Sequence, residues 1–137
     1  MAPMDGATID RFCRRLPKAT RVVQWEGVIV FKVGGKMFCM LPPRDKKRRE
    51  AWFKADDAHY DALKEAPGFR PCPYLARARW VAVEHPEKLD ADMLQAYLRR
   101  AHEVIARKLP RKTQLSLGFT PPPRPTTKRR SAFDEPL

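Results

Sequence analysis

Two adjacent glycines constrain the fold of this chain more than any other feature. Gly34-Gly35 stands between two apolar runs, Val28 to Val33 and Lys36 to Leu41. Side chains alternate along a strand, and glycine accepts the positive φ angles of a tight turn, so this pattern predicts a β-hairpin. With Val33 opposite Lys36, Phe31 faces Phe38 and Ile29 faces Met40 on one side of the sheet, which is expected to be core. The other side gathers Val28, Val30, Met37, Cys39 and Leu41 around the single charge of Lys32. A face that apolar is expected to be covered, by a helix or the C-terminal segment of the same chain, or by a second copy in a homodimer.

The flanking sequence supplies the remaining elements. Thr8 is the predicted N-cap of a short helix through Ile9, Phe12, Cys13 and Leu16, which Pro17 stops. Thr20 to Trp25 reads as a strand, and so does Glu50 to Lys54, with Trp52 and Phe53 on opposite faces. Asp56 or Asp57 is placed to cap a helix carrying Tyr60 and Leu63, which Pro67-Gly68 ends before a strand from Trp80 to Glu84. Asp90 caps the longest helix, where Leu94, Tyr97, Leu98, Ala101, Ile105 and Leu109 form one stripe that Pro110 closes. The order predicts an α+β domain, a mostly antiparallel sheet packed with about three helices, spanning residues 8–118. Phe31, Phe38, Trp80, Tyr97 and Ile105 are expected in one core. Residues 119–137 hold five prolines and the basic run Lys128-Arg129-Arg130 with few apolar side chains, so this tail is expected to be disordered.

Charge narrows the partner. The 137 residues carry 28 Lys and Arg against 16 Asp and Glu, a net charge of +12 that draws polyanions. Up to Gly118 there are 24 basic and 14 acidic residues, so most of the excess lies on the folded part. Two basic segments stand out: the wing-like connection from Pro42 to Arg49, and the proline-stiffened loop from Pro67 to Val81. The candidate phosphate contacts are Lys32 and Lys36 near the hairpin, Arg44, Lys46, Lys47, Arg48 and Arg49 on the wing, and Arg70, Arg77 and Arg79 beside the stiff loop. Such contacts set affinity without reading sequence. Tyr74 and Trp80 suit either base stacking or core packing.

No constellation for catalysis is visible. Cys13, Cys39, Cys72, His59, His85 and His102 form neither close cysteine pairs nor a helical histidine pair, so no metal site and no cofactor is expected. Cys72 has Arg70 and Arg77 near in sequence, which would lower a thiol pKa, yet no base or oxyanion site accompanies it and a bystander thiol is the simpler reading. Gly34-Gly35 lacks the helix that a phosphate-binding loop requires. The chain is therefore expected not to be an enzyme. With three unpaired cysteines, no signal-like N-terminus and no apolar run of about 20 residues, a soluble cytoplasmic protein without a membrane span is expected.

Four segments, in order over about residues 8–118, carry a family resemblance: Trp25-Glu26-Gly27; Phe31-Lys32-Val33 with Gly35-Lys36-Met37-Phe38; Pro67 to Leu75 with Arg79-Trp80-Val81; and Lys108 to Thr113. Together they resemble the MmcQ/YjbR family. The resemblance implies a small α+β fold similar to that of secretion chaperones, with two β wings proposed to contact DNA. The added basic stretch Arg44 to Arg49 and Cys72, where relatives often carry alanine, depart from the family pattern. DNA binding through non-specific phosphate contacts is the expected function. The alternative is a chaperone-like adaptor that uses the apolar sheet face for a protein partner.

Overall fold

The computed structural model of the chain describes residues 4–121. The hairpin is present as β2 (Val28–Val33) and β3 (Lys36–Leu41), joined by Gly34 at φ 59° and Gly35 at φ 80°. Val33 pairs with Lys36 and Lys32 with Met37, as the two-glycine turn requires, but a bulge beside Phe31 and Lys32 then shifts the register. Phe31 lies opposite Cys39 and Ile29 opposite Leu41, so the expected pairs Phe31–Phe38 and Ile29–Met40 do not form. A bulge sets two residues of one strand against one of the other, which reverses the facing of everything beyond it. Phe38, Cys39 and Leu41 are thereby buried on the side of the helices, while Met37 and Met40 turn to the other side.

Four further strands extend the sheet. β1 (Thr20–Gln24) pairs with β2, β4 (Ala51–Lys54) with β3, and β6 (Trp80–Val83) with β4. The segment after Gly68, where the sequence predicts a stiff loop, opens as an edge strand, β5 (Phe69–Pro71), that pairs with β6. A proline ends it without harm because an edge strand needs no donor on its outer side. All pairings are antiparallel, in the order β1-β2-β3-β4-β6-β5.

Helices lie on one face. α1 (Gly6–Arg14) starts earlier than expected, because the Asp5 carboxylate accepts the Thr8 N–H at 2.9 Å and takes the capping role assigned to Thr8. α2 (Tyr60–Leu63) has no side-chain cap, and Asp56 instead accepts the Ala58 N–H at 3.0 Å in the turn before it. α3 (Ala91–Lys108) is capped by Asp90, which accepts the Met93 N–H at 2.9 Å. Pro110 ends α3 and also begins a fourth helix, α4 (Arg111–Ser116), since its fixed φ suits a helix start. The buried Gln114 of α4 donates to Leu109 O at 2.8 Å and Arg107 O at 3.2 Å, satisfying carbonyls that the end of α3 leaves free. No helix among the described residues is long and apolar enough to cross a membrane.

The main core lies between helices and sheet. Phe31, Phe38, Phe53, Val81 and Leu41 meet Ile9 of α1 and Leu94, Leu98 and Ala101 of α3, with Tyr97 and Ile105 partly buried at its margin. Trp80, expected in that core, belongs to a second cluster on the opposite face with Val30, Met40, Cys72 and Ala82. Strand parity explains the correction: Lys54 pairs with Trp80 and Phe53 with Val81, so Trp80 shares the face of Trp52 and not of Phe53. The cover over the second face is the β5–β6 connection, whose Cys72 and Leu75 pack on it before a 3-10 turn at Ala76–Ala78. Phe119 packs edge-on against His102 at 6.3 Å. The rest of the expected tail, residues 122–137 with Lys128-Arg129-Arg130, lies outside the described residues.

Candidate nucleic-acid interface

The wing between β3 and β4 is built on its own backbone. Pro43 and Arg49 form an isolated bridge, Glu50 N–H donates to Pro42 O at 2.9 Å, and Arg44 N–H donates to Arg48 O at 2.8 Å. Asp45 fixes the tip by accepting the N–H groups of Lys47 at 2.9 Å and Arg48 at 2.8 Å. The Lys47 N–H, ahead of the other groups, holds the Asp45 carboxyl below its ordinary range. Lys46, Lys47 and Arg48 are left exposed on this tip; Asp45 lies 3.7 Å from Arg48 Nε, and Asp5, Asp10 and Glu87 line the cavity that Lys47 and Arg48 border.

Arg44 and Arg49 have other work. The Arg44 guanidinium turns inward, donating to Glu84 O, lying 2.7 Å from His85 Nδ1 and 3.5 Å from the Glu87 carboxylate. Arg49 Nη1 donates to Gly27 O at 2.6 Å and Leu41 O at 2.9 Å, tying the wing to the β1–β2 turn and to the end of β3. Both side chains build the wing and do not present charge from it. Arg70, on β5, is also engaged: its Nη2 lies 2.8 Å from Glu50 Oε1, which accepts the Trp52 Nε1–H at 2.7 Å as well.

The remaining predicted cations lie at the other end of the sheet, because the antiparallel pairing sends the hairpin tip and the start of β6 away from the wing. Lys36 is exposed at the tip and Lys32 is half-buried on the second face. Arg79 points toward Asp57, with Nη1 at 3.8 Å from Oδ1. Two lysines that sequence reasoning missed join it there: Lys54 Nζ at 2.8 Å and Lys108 Nζ at 3.3 Å from the same carboxyl group. Lys54 donates first among the causes that hold Asp57 below the ordinary carboxylate range. Arg77 is exposed and unpaired among the described residues, so a groove of about 440 Å³ lined by Lys54, Arg77, Arg79 and Lys108 contains the single acid Asp57. Asp57 and Lys108 are far apart in sequence, and no local pattern announces that they meet.

Two aromatic side chains stand out beside these cations. Tyr74 is 100% exposed and Trp25 60% exposed, both with backbones in the left-handed region at φ 64° and 45°. Of the two aromatics considered for stacking, Tyr74 is thus available and Trp80 is not. Cys72 lies beneath the same loop, and burial pushes its thiol up to about 12, outweighing the opposite pull of Arg70. All three cysteines are buried and unpaired, and among the described residues no group of three or more His, Cys, Asp or Glu side chains gathers as a metal site would need.

Residues 14–104 match the family model described as YjbR, a span of more than half of the 137 residues. The chain belongs to the YjbR family. The YjbR match contains the Trp25 turn, the wing, the whole β5–β6 connection and the Asp57 cluster except Lys108, which lies beyond residue 104. The fold of this YjbR chain is similar to the crystal structure of Deinococcus radiodurans protein DR2400, described with the domain DUF419. The TM-score is 0.76, with 87% of this chain and 92% of that chain covered at 21% identity. At that identity the likeness is one of fold. No curated protein matches the sequence.

Proposed function

We propose that this YjbR chain binds DNA through its phosphates, without reading base sequence. The observation that carries this reading is the wing tip, where Asp45 fixes the backbone and Lys46, Lys47 and Arg48 project as consecutive exposed cations. A rigid tip loses little entropy when its charges meet an anion, and cations facing a polyanion gain from release of its counterions. Arg77, Arg79 and Lys108 supply a second basic surface at the other end of the sheet, and Arg44 and Arg49 leave the contact set because they hold the wing together. No side chain is assigned a catalytic step.

The adaptor alternative loses part of its surface, since Cys72 and Leu75 pack on the apolar face it requires. Salt separates the two. If Lys46, Lys47 and Arg48 each meet a phosphate, replacing all three with alanine flattens the slope of log affinity against log salt by about 2.7, at about 0.9 per contact. An anisotropy titration with duplex DNA at several salt concentrations measures this. An unchanged slope removes the wing from the interface, and wild-type protein that does not bind at low salt overturns the reading.

A further inference from the structure

Tyr74 and Trp25 occupy backbone positions that ordinarily belong to glycine or asparagine. Tyr74 is the third residue of a turn closed by Leu75 N–H to Cys72 O at 3.2 Å, with Pro73 second and a φ of 64° at Tyr74. That is the geometry of a type II turn, whose third position requires positive φ. Trp25 and Glu26, at φ 45° and 60°, are the first two residues of the three-residue β1–β2 turn that Gly27 completes, in a backbone region that glycine or asparagine ordinarily supplies. Left-handed backbone is unfavourable for bulky side chains, and neither aromatic recovers the loss by burial.

The surroundings hold both conformations in place. Below Tyr74, Cys72 is buried, its N–H donates to Trp80 O at 3.1 Å, and Leu75 packs on the second core cluster. Beside Trp25, Arg49 binds Gly27 O at 2.6 Å and so joins that turn to the loop carrying Lys46, Lys47 and Arg48. Arg77 and Arg79 follow Tyr74 on the same connection. Each exposed aromatic is therefore held on a hydrogen-bonded connection that also carries exposed cations, of which Lys46, Lys47 and Arg77 have no acidic partner among the described residues, while Arg48 and Arg79 face Asp45 and Asp57. A flat ring offers a stacking platform to any unpaired base while the cations take the backbone phosphates, and bases already stacked inside a duplex cannot use it.

We propose that the chain binds single-stranded nucleic acid, with bases stacked on Tyr74 and Trp25 and phosphates held by the cations beside them. This rests on the phosphate-binding reading above and adds to it the preference for unpaired bases. The test is anisotropy with labelled oligothymidylate and with labelled duplex DNA at low salt, for wild type, Tyr74→Gly, Tyr74→Phe and Trp25→Asn. Oligothymidylate is expected to bind more tightly than duplex, and Tyr74→Gly and Trp25→Asn each to weaken it by a factor of about 5 to 150, the range for one lost base stack. Tyr74→Phe retains the ring and the affinity. Duplex binding stays the same in every variant, and the melting temperatures of Tyr74→Gly and Trp25→Asn do not fall, because the new residues suit the backbone. Oligothymidylate affinity unchanged in both variants overturns the stacking proposal, as does an equal loss on duplex and single strand. Wild-type protein that binds neither nucleic acid overturns the phosphate reading itself, and duplex binding without a single-strand preference overturns the stacking proposal alone.

Discussion

Neighbouring residues of one type do different things in this molecule. Arg49 and Lys46 are close in sequence, yet Arg49 donates to two carbonyl oxygens and Lys46 has no side-chain partner among the described residues. Hydrogen bonds to a charged donor are worth about 1.5 to 3 kcal/mol, so Arg49→Ala is expected to lower stability by about 2 to 4 kcal/mol, and Lys46→Ala by less than about 0.5 kcal/mol. Urea unfolding of the two variants checks the contrast. Gly34 and Gly35 differ in the same way: a Cβ at Gly34 would meet Leu109 Cδ1 at 2.5 Å, and at Gly35 nothing lies within 4 Å. Both have positive φ, so each alanine costs about 1 to 2 kcal/mol of backbone strain, and Gly34→Ala is expected to lose more because Leu109 must also move. At Cys72, burial rather than the nearby arginines sets the thiol, and the native protein is expected to resist an aromatic disulfide reagent at neutral pH while the unfolded chain reacts at all three cysteines.

At the scale of elements, the hairpin shows how local and tertiary preferences share control. Its turn and first pairs follow from Gly34-Gly35, and the bulge beyond them follows from what the helices need to bury. Phe38 is fully buried against the helix side and meets the His102 ring of α3 edge-on at 5.2 Å. Phe38→Ala is expected to cost about 3 to 5 kcal/mol, as large core truncations do. Guanidinium unfolding measures it. The β5–β6 connection is the other instructive element. Its prolines made it legible as a stiff segment, but that stiffness serves a short edge strand and a cover over Trp80, leaving Tyr74 as the projecting side chain.

For the whole molecule, carboxylates hold a strongly basic surface together. Asp56 and Asp57 are depressed by hydrogen bonds, Asp56 first by the Ala58 N–H and then by Arg100, and Asp57 first by Lys54. A carboxyl group with a folded pKa below its unfolded value of about 3.9 contributes stability that is present above that pH and lost as pH falls through the folded pKa. Stability is therefore expected to hold from neutrality to about pH 5 and to drop below about pH 4, where the rising net charge adds self-repulsion. Urea midpoints against pH test this, and Asp57→Asn should make the acid side of the curve shallower. Both groups are near the surface, so added salt should soften the effect.

The sequence alone determined whatever depends on residues close together along the chain. Glycine pairs, proline stops, the Asp90 cap and the apolar stripe of α3 act over a few positions, so the hairpin, the long helix, the α+β order and the YjbR family were all legible. Long-range contact settled the rest. Which face Trp80 joins depends on strand parity across β4, and the carboxyl group of Asp57 meets Lys108 only because the fold brings the end of α3 beside the end of β4. The ten predicted cations were separated the same way, into those that bind backbone or acids within the fold and those that face outward, since a guanidinium's role is fixed by acceptors brought to it from elsewhere in the chain. Local sequence specifies dihedral preference and periodicity, whereas the partner of a long charged side chain is decided only when the sheet order places distant segments side by side.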